Sequence, residues 1–324
     1  MLLRWERIKC KIMWGRIDYT TKYDIIVIGA DPAGTAASVY ASRKNLKTLT
    51  LTKDIGGQAS ISLNVKNYSG YQFISANELV KKFEEHQKSF DLEVKSGVQV
   101  DFIEKISTEF KVSLGNDSFF TKTVVIATGR EPKKLDVVGE SEFLGRGVTY
   151  CATCDAPFFK DKIVGVVGGG SAALYAVIQL LSIAKKIFLI NNSDKFSGDI
   201  ELVKKVKNSE KVSIIYNSYI EEIDGDMVLK YIKIKNKNSK EKVLAIDGLF
   251  IEIGSEPVIP DVDSARKNLK TNFKHEIIVN ENCETSISGL FAAGDVTNVP
   301  EKQVLIAAGQ GCIASLSAFR FINE

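Results

Sequence analysis

From residue 23 onward, short apolar runs alternate with glycine turns and stretches of small residues, and the alternation occurs twice. Asp24-Ile25-Ile26-Val27-Ile28 is a β-branched run that predicts a buried strand. The turn Gly29-Ala30-Asp31-Pro32-Ala33-Gly34 follows, then a small-residue helix from Thr35 to about Asn45. Leu46 to Thr52 reads as the next strand and leads to Gly56-Gly57-Gln58. Ala76 to Ser89 puts Leu79, Val80 and Phe83 on one face, the mark of an amphipathic helix. Two strands with charged turns are expected over 93–110 and 111–119, and Thr123 to Ile126 forms a buried strand ending at Ala127-Thr128-Gly129. The second round runs through Ile163–Val167, the turn Gly168-Gly169-Gly170-Ser171-Ala172-Ala173, a helix to about Ala184 and a strand from Ile187 to Ile190. Leu249 to Ile253 is a further strand closed by Gly254. Near the end, Gly289 to Val296, with Gly294 and Asp295, precedes Lys302-Gln303 and a small-residue helix from Val304 to about Phe321.

A strand, a glycine turn and a helix together place backbone N–H groups and a helix N-terminus under a pyrophosphate. Two such units in tandem predict an α/β chain with two Rossmann-like dinucleotide-binding domains of three layers. The expected boundaries are an N-terminal extension over 1–22, a discontinuous first domain over 23–130 and 254–324, and a second domain over 131–253. The extension holds both tryptophans, Trp5 and Trp14, among basic residues, reads as an upstream start or flexible arm, and is assigned no function. The first turn has a defect, because the second glycine of its fingerprint is Asp31, which brings a negative charge to the point of closest phosphate approach. Such a carboxylate is expected either to meet a basic group or to turn away. Gln58 offers an amide to a heterocycle edge, and Asp295 offers a carboxylate to sugar-like hydroxyls.

Composition narrows the class. With 324 residues, 44% hydrophobic and 26% charged, the chain suits two globular domains, and a net charge of +3 does not call for nucleic acid. No uninterrupted apolar run approaches a membrane span, and the five cysteines, odd in number with one close pair, fit a reducing compartment, so a cytoplasmic location is expected. Residues 230–242 carry six lysines against Glu241, which reads as a charged β-hairpin.

That close pair is Cys151-Ala152-Thr153-Cys154, followed by Asp155. Two thiols at this spacing close a reversible disulfide in which one thiolate attacks and its neighbour resolves, and the acid after them can protonate a leaving thiolate. Half of a zinc site is the competing reading, but Cys10, Cys283, Cys312, His86 and His275 form no second pair, so no metal is expected.

From Tyr23 to the end, these motifs resemble those of the low-molecular-weight thioredoxin reductases and the related flavoprotein of alkyl hydroperoxide reductase. The resemblance rests on Gly29–Gly34, Gly56-Gly57-Gln58, Ala127-Thr128-Gly129, Gly147 to Asp155, Gly168–Ala173 and Gly289–Val296. It implies a tightly held FAD, a homodimer, a second domain that rotates against the first, and thioredoxin as the protein substrate. Cys154 would face the flavin, Cys151 would attack the partner disulfide, and Asp155 would be the acid. It implies FAD contacts at Gly29, Asp31, Gly34, Gly56, Gly57, Gln58, Ala127, Thr128, Gly129, Gly294, Asp295, Lys302 and Gln303. The chain departs from the family where a His-Arg-Arg segment and a further Arg grip the 2′-phosphate of NADPH. Asn191, Asn192, Ser193 and Ser197 stand there, and Tyr175 and Ala176 replace a pair of acids. The expected donor is therefore reduced ferredoxin, as in the ferredoxin-linked branch, for which the 230–242 hairpin offers a basic docking surface. An NAD(P)H-dependent reductase and a peroxide-system reductase stay open as alternatives. The latter usually has an extra N-terminal disulfide domain, for which residues 1–22 are too short.

Overall fold

The computed structural model describes residues 13–14, 22–60, 64–65, 67–263 and 269–324. The chain divides into two compact units, one of residues 1–60, 77–131 and 256–324 and one of 61–76 and 132–255. Apart from Met13–Trp14 and Lys22, the 1–22 segment lies outside the described residues; Met13–Trp14 forms a short strand antiparallel to Glu93–Ser96.

The first unit is built on strand Lys22–Ala30, whose residues 23–30 are nearly all buried because helices cover one face and a second sheet layer the other. It pairs in parallel with Thr48–Ile55 and Asp117–Ile126; Glu93–Ser96 extends one side and Leu290–Ala292 the other, again in parallel. Parallel pairing brings the carboxyl ends of these strands to one edge, so the turns at 29–34, 56–58, 127–129 and 293–295 emerge together. The region read as two strands over 93–119 holds more than that. Glu93–Ser96 joins the parallel sheet, while Phe102–Ile106, Glu109–Leu114 and Asp117–Ile126 form an antiparallel meander. The first meander turn escapes notice because Ser107, with no glycine to mark it, takes the left-handed conformation at φ 57°.

One face of the sheet packs Ile26, Ile28, Leu49, Leu51, Val124 and Ile126 against Phe110, Val112 and Phe119 of the meander. The other packs Ile25, Val27 and Val125 against helices Pro32–Arg43 and Val304–Asn323. Both helices present small residues, so their backbones come close: a β carbon on Gly311 would lie 2.0 Å from the Ala33 carbonyl oxygen. By length and composition Val304–Asn323 could cross a membrane, yet Ala307, Ala314 and Ala318 belong to this core.

The second unit repeats the plan. Val148–Thr149, Gly248–Ile251, Ile163–Val167, Lys186–Ile190 and Val212–Ile215 form a parallel sheet, with Ser171–Leu181 as the helix after the glycine turn. Ser218–Gly225, Leu229–Asn236 and Glu241–Ala245 make the antiparallel layer. Both units are thus mixed α/β with a Rossmann-like parallel sheet, as the sequence pattern predicts.

The close helix crossing generates a paired expectation. Gly311→Ala should destabilise the chain by about 1–3 kcal/mol through overpacking. Gly309→Ala, in the same helix with nothing within 4 Å of the added carbon, should stabilise it by about 0.5–1 kcal/mol. Denaturant unfolding of both variants checks the difference in sign.

Candidate active site

In the first unit, backbone contact shapes the edge where the turns meet. Gly29 has φ 108°, and a β carbon there would lie 2.2 Å from the Ala127 carbonyl oxygen; on Gly34 it would lie 2.0 Å from the carbonyl oxygen of Gly29. Only glycine at both places lets the strand end, the helix start and the 127–129 turn come together. Helix Pro32–Arg43 begins at Asp31 with no side-chain cap, so its leading N–H groups face the edge uncapped. Gly57 N donates to Asp54 Oδ1 at 3.2 Å, and Gly56 packs on Val80. Gln58 Nε2 donates to the Arg130 carbonyl and Thr128 Oγ1 to the Val258 carbonyl. Gly294 N donates to Gln310 Oε1 at 2.8 Å. Lys302 Nζ reaches the Thr297 carbonyl at 2.6 Å and Glu276 Oε1 at 3.2 Å, and Gln303 is the N-cap residue of the last long helix. Burial of Asp295 raises its pKa, which nearby Lys302 and Arg130 oppose.

The expectation for Asp31 is not met in either form. Its side chain turns into the cradle, with Oδ2 2.2 Å from where a β carbon on Gly57 would lie and 3.1 Å from one on Gly129. Among the described residues no hydrogen bond or ion pair holds the carboxyl. Burial, then the negative charges of Asp54 and Asp295, push its pKa up to about 8. Below that value the group is neutral and can donate to a phosphate oxygen; above it, a second anion in the cradle is repelled.

In the second unit, Cys151 and Cys154 form a disulfide with S–S 2.17 Å and Cα–Cα 5.3 Å. Cys151 is the N-cap of the single turn Ala152–Asp155, and its sulfur accepts from Cys154 N at 3.2 Å. Neighbouring strands take up the other leading amides. Thr149 Oγ1 accepts from Cys151 N at 3.1 Å and donates to Asp155 Oδ2 at 2.5 Å, while Glu252 Oε1 accepts from Ala152 N at 3.1 Å. Asp155 is buried with Oδ1 unpartnered, and desolvation raises its pKa against the lowering hydrogen bond from Thr149. A carboxyl whose pKa is raised in this way suits an acid.

The glycine turn at 168–170 is closed over by its own loop. Ser197 N donates to the Gly169 carbonyl at 2.8 Å, and the buried Asn191 amide is tied to Lys195 O and Ser193 N. Asn191 Oδ1 lies 2.5 Å from where a β carbon on Gly169 would stand. Lys195 is a cation of this loop that a reading of positions 191–193 and 197 alone passes over. The 230–242 segment is a charged hairpin, and three of its six lysines are ion-paired: Lys230 with Asp226, and Lys233 and Lys235 with Glu221 and Glu241.

Sequence reasoning missed Thr149, Glu252, Gln310 and the buried Arg130–Glu276 pair at 2.8 Å. Thr149 and Glu252 come together through strand pairing of 148–149 with 249–250, which no local motif announces.

The sequence profile of the pyridine nucleotide-disulphide oxidoreductase family matches residues 23–311. The chain is 37% identical over 306 residues to a thioredoxin reductase of Bacillus subtilis, covering 93% of this chain and 95% of that one. To an alkyl hydroperoxide reductase component of Pseudomonas putida it is 35% identical over 311 residues, 94% of this chain but only 59% of that protein. Among solved structures, thioredoxin reductase from Streptococcus pyogenes superposes with TM-score 0.87 at 34% identity, covering 93% of this chain and 98% of that chain.

The Asp31 geometry predicts pH-dependent cofactor retention. Asp31 stays protonated in the folded chain up to about pH 8, so flavin affinity should fall as pH rises through that value and hold below it. Asp31→Asn and Asp31→Gly should both flatten the profile, and above about pH 8 both should bind more tightly than the native chain. Equilibrium dialysis of apoprotein against FAD across this range checks both.

Proposed function

This chain belongs to the pyridine nucleotide-disulphide oxidoreductases, and from that premise we propose that it is a thioredoxin-disulfide reductase acting through Cys151 and Cys154. Its cofactor is FAD, and the edge of the first unit fits it: the close packing that Gly29 and Gly34 allow sets the uncapped start of helix Pro32–Arg43 at the edge where the flavin dinucleotide would lie. Bound there, FAD supplies two-electron chemistry.

The observation that carries the reading is the amide of Cys154 aimed at Cys151 Sγ. Two electrons break the S–S bond and, with one proton taken up, leave a thiolate and a thiol. An N–H directed at Cys151 favours the charge there, so Cys151 is the sulfur that attacks a substrate disulfide and Cys154 the one that resolves the mixed disulfide. Asp155, whose pKa burial raises, gives a proton to the departing substrate sulfur. The chain spans 59% of the length of its alkyl hydroperoxide reductase relatives, whose peroxide-system role is the competing assignment.

For the donor we propose reduced ferredoxin. Asn191, Asn192, Ser193 and Ser197 supply no cation for a 2′-phosphate, and losing two arginine contacts at about 1.5–3 kcal/mol each weakens NADPH by roughly two to four decades. The intact Gly168–Ala173 turn and Lys195 favour a pyridine nucleotide instead. Pairing with a second copy would cover Tyr40, Leu305, Ile306 and Ile313, exposed apolar side chains on the helices 32–43 and 304–323.

Two measurements check these assignments. Cys151→Ser should leave a thiolate at Cys154 and add a long-wavelength charge-transfer band to the flavin spectrum, and Cys154→Ser should not; identical spectra would reverse or remove the assigned roles. In anaerobic stopped flow, reduced ferredoxin should bleach the flavin, whereas micromolar NADPH or NADH should do so slowly. Rapid bleaching by a nucleotide with none by ferredoxin would overturn the donor assignment.

A further inference from the structure

Glu252 stands at the carboxyl end of strand Gly248–Ile251, where the dithiol turn and the second glycine turn both reach it. Its backbone carbonyl oxygen lies 2.3 Å from where a β carbon on Gly168 would be, and its side chain holds the Ala152 amide at 3.1 Å. Ala152 directly follows Cys151, so this carboxylate is fastened to the first amide of the turn whose second partner, Cys154 N, points at Cys151 Sγ. Charged and titratable neighbours are few. The dithiol turn brings Tyr150, Asp155 and the two sulfurs, strand Ile163–Val167 and the turn 168–173 bring none, helix Ser171–Leu181 brings Tyr175, and Lys133 lies alongside Gly254. Among the described residues no lysine or arginine pairs with Glu252 or Asp155.

We propose that Glu252 is a positioning residue of the Cys151–Cys154 pair, holding the first amide of the dithiol turn and setting, through its charge, how readily Cys151 becomes a thiolate. The proposal rests on the redox-pair reading above. The chemistry has two parts. As an acceptor, Glu252 holds the Ala152 amide while Thr149 holds that of Cys151, which leaves Cys154 N to serve the sulfur. As a charge, it opposes a second negative group close by, so Cys151 loses its proton less readily while Glu252 is ionised. Desolvation pushes the Glu252 pKa up to about 7, within the range where thiol exchange operates. Glu252 therefore couples the protonation of the turn to the nucleophilicity of its first sulfur.

The test uses the FAD-loaded protein reduced anaerobically with dithiothreitol, freed of reductant and alkylated with iodoacetamide across about pH 5 to 9. Peptide mass spectrometry reads Cys151, Cys154, Cys283 and Cys312 separately. Glu252→Gln keeps an acceptor for Ala152 N and removes the charge. Its Cys151 profile should move toward lower pH, with up to about tenfold faster alkylation between about pH 7, where Glu252 ionises, and the native midpoint, and no gain at lower pH where Glu252 is already neutral. Glu252→Ala should move the profile the same way, and it serves equally if the glutamine variant does not accumulate. A purely structural role would change melting temperature without moving this profile. A pair that reduces but reacts alike in native and variant proteins overturns this proposal alone. A native pair that resists dithiothreitol overturns the redox-pair reading and this proposal with it.

Discussion

A single backbone N–H, that of Cys154 directed at Cys151 Sγ over 3.2 Å, distinguishes the two sulfurs of the disulfide pair. Four residues of helix cannot hold such an arrangement unaided, since one turn closes few hydrogen bonds of its own. The turn is fixed from outside by Thr149 and Glu252, which belong to adjacent parallel strands. The parallel sheet of the second unit thus serves the dithiol as directly as it serves the glycine turn beside it. The proton inventory follows from the same burial: Asp155 and Glu252 both stand above ordinary carboxylate values because water is excluded and no cation replaces it.

The first unit solves another problem with the same architecture. A dinucleotide cradle needs several backbones at one edge, and side chains are the obstacle. Gly29, Gly34 and Gly311 remove them where strand, turn and helix meet, and alanines fill the rest of the helix interface. Asp31 breaks the pattern by placing a carboxyl in the cleared space. A cation there would form an ion pair across the pyrophosphate path. Burial without a cation instead keeps the group neutral near pH 7, so the fold tolerates the substitution through protonation.

Much of this was legible in the sequence because periodicity and glycine spacing are local. The strands near 24–28, 163–167 and 187–190 and the helices from about 76 and 304 lie where apolar runs and small residues place them. The meander was not, because its first turn uses Ser107 and its last strand, Asp117–Ile126, runs on without a break into a segment that reads as a separate strand. The dithiol was legible from its spacing, but its supports were not. Thr149 looks like an ordinary strand residue, and Glu252 looks like a charge at a strand end until register puts it against Ala152. The lysine-rich hairpin misleads in the opposite direction. Between 218 and 245 its six lysines stand among five carboxylates, and cross-strand pairing, invisible in a linear reading, engages Lys233 and Lys235 with Glu221 and Glu241.

The central claim, that Cys151 is the sulfur exposed to substrate and Cys154 the one that resolves, is tested most directly by trapping. With Cys154→Ser, oxidised thioredoxin should remain on the chain as a stable mixed disulfide, and peptide mapping should place the link at Cys151. With Cys151→Ser, little adduct should form under the same conditions. Equal trapping through Cys154, or no adduct with either variant, would contradict the account.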